Sequence, residues 1–137
     1  MTGRPRRILI LENDQAVRQF LDDLLSEEGH RVETVSSLPD ARHLLQSWQP
    51  DLLVTDLSVW DASLETLPGR LASEPALRDL PVVLCTAAFL TAPDVLPSYA
   101  PGLELVRKPF DVEDLLAAID RLVARRGDRD AGGGGAD

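Results

Sequence analysis

The chain is poor in the residues that would tie it to a membrane, an oxidising compartment or a nucleic acid. Only one of its 137 residues is cysteine, so no internal disulfide can form. Cys85 lies inside the apolar run Val82-Val83-Leu84-Cys85 and reads as a small buried side chain. No apolar stretch approaches the roughly 20 residues needed to cross a bilayer, and no signal-type apolar region stands behind Met1 to Arg7. The expectation is a cytoplasmic protein with no membrane contact. Basic residues are outnumbered, 14 Lys and Arg against 23 Asp and Glu, giving a formal charge of −9. So acidic a body is repelled by a phosphate backbone, which argues against nucleic acid as a partner. Arg4, Arg6 and Arg7, ahead of the first apolar run, read as solvated charge. The two histidines, His30 and His43, have no acidic or hydroxyl companion in sequence and read as surface residues. No glycine-rich loop follows the first apolar run, which weighs against a small nucleotide-binding enzyme.

What the chain does have is a hydrophobic share of 44%, enough for one core in one domain. Short apolar runs alternate with segments of helical period. Ile8 to Leu11 reads as a strand, and Val17, Phe20, Leu21, Leu24 and Leu25 then share one helix face that Gly29 closes. Arg31 to Val35 is a weaker strand, followed by a start signal at Ser37-Leu38-Pro39 and by Ala41, Leu44, Leu45 and Trp48 at helical spacing. Leu52 to Thr55 is a third strand. Leu64, Leu67 and Leu71 suggest a helix weakened by Pro68-Gly69, and Pro81 opens a fourth strand over Val82 to Cys85. Pro93, Pro97 and Pro101 require any helix before Gly102 to be short, broken or shifted.

Leu103 to Val106 is the fifth strand. Asp111 can cap a last helix that turns Leu115, Leu116, Ile119, Leu122 and Val123 inward. Residues 1–126 are expected to form the domain and 127–137 a disordered Gly-rich tail with almost nothing to bury. Apolar strands, each followed by a helix, are the pattern of a sheet buried on both faces. The predicted fold class is therefore α/β, a doubly wound five-stranded parallel sheet.

In such sheets chemistry sits at the carboxyl ends of the strands. There the sequence places Glu12, Asn13 and Asp14 after the first strand, Asp56 after the third, Thr86 after the fourth and Lys108 after the fifth. Each alone has a plain explanation: Asp14 a helix cap, Asp56 a turn residue, Thr86 a strand residue, Lys108 a solvated charge. Together they supply what moving a phosphoryl group onto a carboxylate needs. Asp56 is a nucleophile that can become an acyl phosphate, and acids at the first strand end can hold Mg²⁺. Lys108 gives a compact positive charge, and Thr86 a hydroxyl for the phosphoryl oxygens.

These blocks, Ile8-Leu-Ile-Leu-Glu-Asn-Asp14 with Val17-Arg18, Pro50-Asp-Leu-Leu-Val-Thr-Asp56, Leu80-Pro-Val-Val-Leu-Cys-Thr-Ala87 and Lys108-Pro-Phe110, resemble the CheY-like receiver domains of two-component signalling. The resemblance covers residues 6 to 124 and implies a flavodoxin-like (βα)5 receiver fold. It implies that Asp56 accepts a phosphoryl group from a histidine kinase or phosphotransfer protein with Mg²⁺ bound. Glu12 and Asn13 fall at the metal-binding acids, Ser58 where a backbone carbonyl completes the metal shell, Thr86 at the switch hydroxyl and Lys108 at the phosphate-pairing lysine. The implied protein is a stand-alone response regulator, a signalling switch rather than an enzyme, with self-catalysed transfer and slow dephosphorylation. It relays its state to a downstream partner protein, and a homodimer is compatible with this reading.

The chain departs from the family pattern in places. Asn13 stands where an aspartate is usual, and a neutral amide is the weaker ligand for a hard cation, so weaker Mg²⁺ binding is expected. The loop Leu57-Ser-Val-Trp-Asp-Ala-Ser63 lacks the usual Met-Pro and Asp-Gly elements. Trp60 within it either covers the site or plugs a gap in the core. Position 105 is Leu where an aromatic is common. These departures favour the alternative, a pseudo-receiver that binds partners without being phosphorylated.

Overall fold

The computed structural model describes the backbone of residues 5–63, 65–86, 102–107 and 111–134, and their side chains apart from 86, 107 and 125–134. Five strands, β1 (Arg7–Leu11), β2 (Arg31–Val35), β3 (Leu52–Asp56), β4 (Val82–Thr86) and β5 (Leu103–Arg107), form one parallel sheet in the order β2-β1-β3-β4-β5. The chain steps one way from β1 to β2 and then the other way through β3, β4 and β5. Parallel crossovers are right-handed, so this reversal sends helices to opposite faces.

On one face, α1 (Gln15–Glu27) and the last helix, α4 (Val112–Gly134), cover Ile8, Ile10, Leu52, Val54, Val83, Cys85 and Val106. On the other, α2 (Leu38–Leu44) and α3 (Leu67–Ala72) cover Leu9, Leu11, Leu53, Val82 and Leu84. The strand side chains alternate between the two layers. That is why the runs read as continuously apolar.

The helix ends follow the local chemistry of the sequence. Asp14 caps α1, its Oδ1 accepting from the N–H groups of Ala16 and Val17 at 2.9 and 3.2 Å. Gly29, at φ +94, closes it, and the N–H of His30 reaches the carbonyl of Leu25 at 3.2 Å. Ser37 caps α2 with Pro39 in the first turn. Asp111 Oδ1 accepts from the Glu113 N–H at 2.8 Å at the start of α4.

Two helices differ from expectation. In α3, Pro68 lies in the first turn, where its missing N–H costs nothing. It therefore starts the helix rather than weakening it, and Leu64 lies outside the described residues. The backbone of α4 runs on to Gly134, through a stretch expected to have no structure. Extending a formed helix adds one hydrogen bond per residue fixed, an easier step than starting one. The proline-bearing segment 87–101 lies outside the described residues.

His30 and Arg6 are also placed differently from expectation. His30 is half-buried, and its Nδ1 accepts the backbone N–H of Arg6 at 3.1 Å, tying the turn after α1 to the start of β1. Arg6 Nε is buried and makes no hydrogen bond among the described residues. His43 is exposed, as read from the sequence.

Two predictions follow from these placements. Burial pushes the His30 pKa below its ordinary 6.5 and Arg6 adds to this, while Glu28 and Asp120 oppose it. The unfolded chain therefore takes up a proton at His30 before the folded one does. The stability this group contributes is complete above about pH 6.5 and is lost as the pH falls through the lowered folded value. Thermal midpoints between pH 7.5 and 5.5 should fall more for the parent than for His30→Gln; parallel curves would refute the assignment. The described side chains of α4 that pack on the sheet end at Val123. Ending the chain after Arg126 should therefore shift the thermal midpoint by less than about 3 °C. A larger drop would mean that the distal part of α4 docks on the body.

Candidate functional site

The site is built where β1 and β3 run out side by side. Leu11 is in register with Thr55, so the next residues, Glu12 and Asp56, emerge as neighbours. Both are buried, at 1% and 8% exposure, although each carries a carboxylate. Such groups are tolerated only where polar partners surround them. The N–H of Glu12 donates to the carbonyl of Val35 at 3.1 Å, its Oε2 accepts the N–H of Asp14 at 3.0 Å, and its carbonyl accepts from the Arg18 guanidinium at 2.8 Å. Asp14 is thereby fixed as the cap of α1.

After Asp56 the chain leaves the sheet in one 3₁₀ turn, Leu57–Trp60, and Asp61 follows in the left-handed region at φ 50. The turn brings Ser58 back over the carboxylate, and its hydroxyl donates to Asp56 Oδ2. The Asn13 amide in turn donates to Ser58 Oγ at 3.4 Å. Asn13, Ser58 and Asp56 thus form a polar chain across the mouth of the site, with Glu12 buried beside it.

Of the residues expected from the sequence, Glu12, Asn13, Asp56 and Ser58 are brought together. Thr86 ends β4 one step beyond Cys85, the register partner of Asp56, and pairs with Arg107. Its backbone is therefore at the same edge. Lys108 lies outside the described residues, directly after the strand that ends at Arg107.

No group of three or more His, Cys, Asp or Glu able to hold a metal ion occurs among the described residues. The site instead brings together the Glu12 and Asp56 carboxylates, the Asn13 amide and the Ser58 hydroxyl, while the Ser58 carbonyl accepts the Asp61 N–H at 3.3 Å. All are oxygen donors. That set suits a hard cation such as Mg²⁺, which takes one or two protein carboxylates and keeps several waters.

Sequence reasoning left Trp60 between two roles and passed over Thr55. Trp60 is 1% exposed and packs in the layer formed by Leu9, Leu11, Leu53 and Leu67, so it fills the core and does not cover the site. Its indole N–H donates to Thr55 Oγ1 at 2.9 Å. A hydroxyl in an otherwise apolar strand was the available signal, because a buried hydroxyl must find a partner.

A family profile described as "Response regulator receiver domain" matches residues 8–120. Transcriptional regulatory protein AfsQ1 of Streptomyces coelicolor is 34% identical over 129 residues, covering 90% of this chain and 53% of its own length. Protein Rrf1 of Nitratidesulfovibrio vulgaris is 29% identical over 120 residues, covering 88% and 84%. The solved structure of the chemotaxis response regulator CheY4 of Vibrio cholerae has a TM-score of 0.70 at 18% identity, covering 87% of this chain and 99% of that one; at that identity the likeness speaks for the fold. The chain spans about half the length of several of the transcriptional regulators it matches.

Proposed function

The chain belongs to the response regulator receiver family of two-component signalling, and from that premise we propose that it is a phosphorylation switch whose acceptor is Asp56. A histidine kinase or phosphotransfer protein is the donor, and a partner protein reads the result. The observation that carries this reading is the placement of Asp56. It is the last residue of a strand buried over its whole length, beside the buried Glu12 and at the strand edge where Thr86 ends β4.

In the proposed transfer an Asp56 carboxylate oxygen forms a bond to phosphorus as the bond from phosphorus to the donor imidazole nitrogen breaks. The electron pair stays on that nitrogen, which takes up a proton. Ser58 must release Oδ2 for the carboxylate to be open on that side. Lys108 pairs with the phosphoryl group and the Thr86 hydroxyl binds one of its oxygens. Glu12, Asn13, Asp56 and the Ser58 carbonyl would hold Mg²⁺, which when bound neutralises charge on the phosphoryl oxygens. The alternative, a pseudo-receiver that binds partners unphosphorylated, is favoured by Asn13, whose amide donates into Ser58.

Intact-mass measurement with acetyl phosphate and Mg²⁺ tests the acceptor. The parent should gain one phosphoryl group, Asp56→Asn none, and Asp14→Asn as much as the parent, since asparagine caps a helix as well as aspartate does. An adduct that persists in Asp56→Asn would move the site elsewhere.

The metal shell is tested at Asn13. Replacing its neutral amide by a carboxylate, Asn13→Asp, should tighten Mg²⁺ binding on the order of tenfold if one added charge contact contributes ~1.4 kcal/mol. Indole fluorescence can follow the titration. Equal affinity would mean that Glu12 and Asp56 already suffice. No binding in either protein would favour the pseudo-receiver.

A further inference from the structure

Under the acceptor edge lies a polar link that the transfer itself does not use. Trp60 and Thr55 are each 1% exposed, and the indole N–H meets Thr55 Oγ1 at 2.9 Å. Water has no access there to replace the bond if it is lost. The Thr55 hydroxyl carries one proton, and two carbonyls stand within reach at 3.2 Å, those of Leu11 and Asp56. This one oxygen therefore touches the last residue of β1, the last residue of β3 and the last residue of the 3₁₀ turn. The turn is anchored at both ends, at Asp56 by the strand ladder and at Trp60 by Thr55. Ser58, which donates to Asp56 Oδ2, stands between the two anchors.

We infer that Trp60 is a positioning residue for the acceptor turn: its indole N–H, held by the buried Thr55 hydroxyl, fixes the turn that carries Ser58 against Asp56. The consequence for phosphoryl transfer rests on Asp56 being the acceptor. A ring that only filled the core would need no donor at this position. With the donor in place, the spacing of the Ser58 hydroxyl and backbone carbonyl from Asp56 is set from inside the second core layer.

Three substitutions separate positioning from filling. Thr55→Val keeps the side-chain shape and removes the hydroxyl, Trp60→Phe keeps a ring and removes the N–H, and Thr55→Ser keeps the hydroxyl. In Thr55→Val the backbone amides of residues 57–61 should exchange with solvent on the order of tenfold faster, as expected on losing one buried hydrogen bond. Those of Ile8 to Ile10 should keep their rates. The rate of phosphoryl gain from acetyl phosphate with Mg²⁺ should fall on the order of tenfold in Thr55→Val and Trp60→Phe, because loss of the set position of the Ser58 carbonyl proposed to hold the metal outweighs the easier release of Oδ2, and a rise would overturn the assignment. It should recover in Thr55→Ser, and the Thr55→Val, Trp60→Phe double variant should be no slower than either single one. Exchange that rises equally in the turn and in β1 would reduce Trp60 to a core filler. So would variant rates within twofold of the parent. A parent that gains no phosphoryl group overturns the acceptor reading instead, and with it the effect on rate.

Discussion

Burial of β3 on both faces is the constraint from which the rest of the site follows. All five of its residues are buried, the last two of them polar. A hydroxyl and a carboxylate at the end of such a strand cannot rely on bulk water, so each must have a protein partner. Thr55 is satisfied from below by Trp60 and by carbonyls, and Asp56 Oδ2 from above by Ser58. The shape of the following turn is the one that meets both demands within four residues. Glu12 meets the same requirement at the neighbouring strand end through backbone groups of Asp14 and Val35 and the Arg18 guanidinium.

Much of this was legible in the sequence because the signals were local. The runs at Ile8, Leu52 and Val82 are apolar on both faces, which only a covered parallel strand requires. Asp14, Ser37, Gly29 and Asp111 announce helix ends through bonds made within a few residues. What was not legible depends on contacts distant in sequence or on choices between equivalent local states. His30 binds the backbone of Arg6, 24 residues away, and nothing near it in sequence marks that partner. Pro68 is compatible with breaking a helix or with starting one, and only the position of Leu67 decides. Thr55 looked like an ordinary strand residue because threonine is common in strands.

Asn13 shows how one substitution changes the chemistry of an edge without changing its fold. A carboxylate in its place would only accept hydrogen bonds, whereas the amide donates, and here it donates to Ser58. That bond supports the serine hydroxyl on Asp56 and leaves the edge with one negative charge fewer than an all-carboxylate version. Under the proposed reading the same residue would weaken the attraction for a cation while steadying the side chain bonded to Asp56 Oδ2. Both effects favour a resting state in which Asp56 is engaged with the protein.

The two core layers are not equivalent with respect to that state. The layer under α1 and α4 meets the sheet through aliphatic side chains and Cys85, whereas the layer under α2 and α3 holds Trp60 and the half-buried Leu105. Leu105 has neither a ring to reorient nor a hydroxyl to form a new bond, so it offers a small response to a change at the strand edge. Trp60 is bonded one residue from Asp56 and packed beside Leu67, the first residue of α3. A displacement of the acceptor turn would be transmitted through a rigid, close-packed ring directly to that helix. Among the described residues, the proposed acceptor turn thus reaches the α2 and α3 side through Trp60, a residue the sequence left between covering the site and plugging the core.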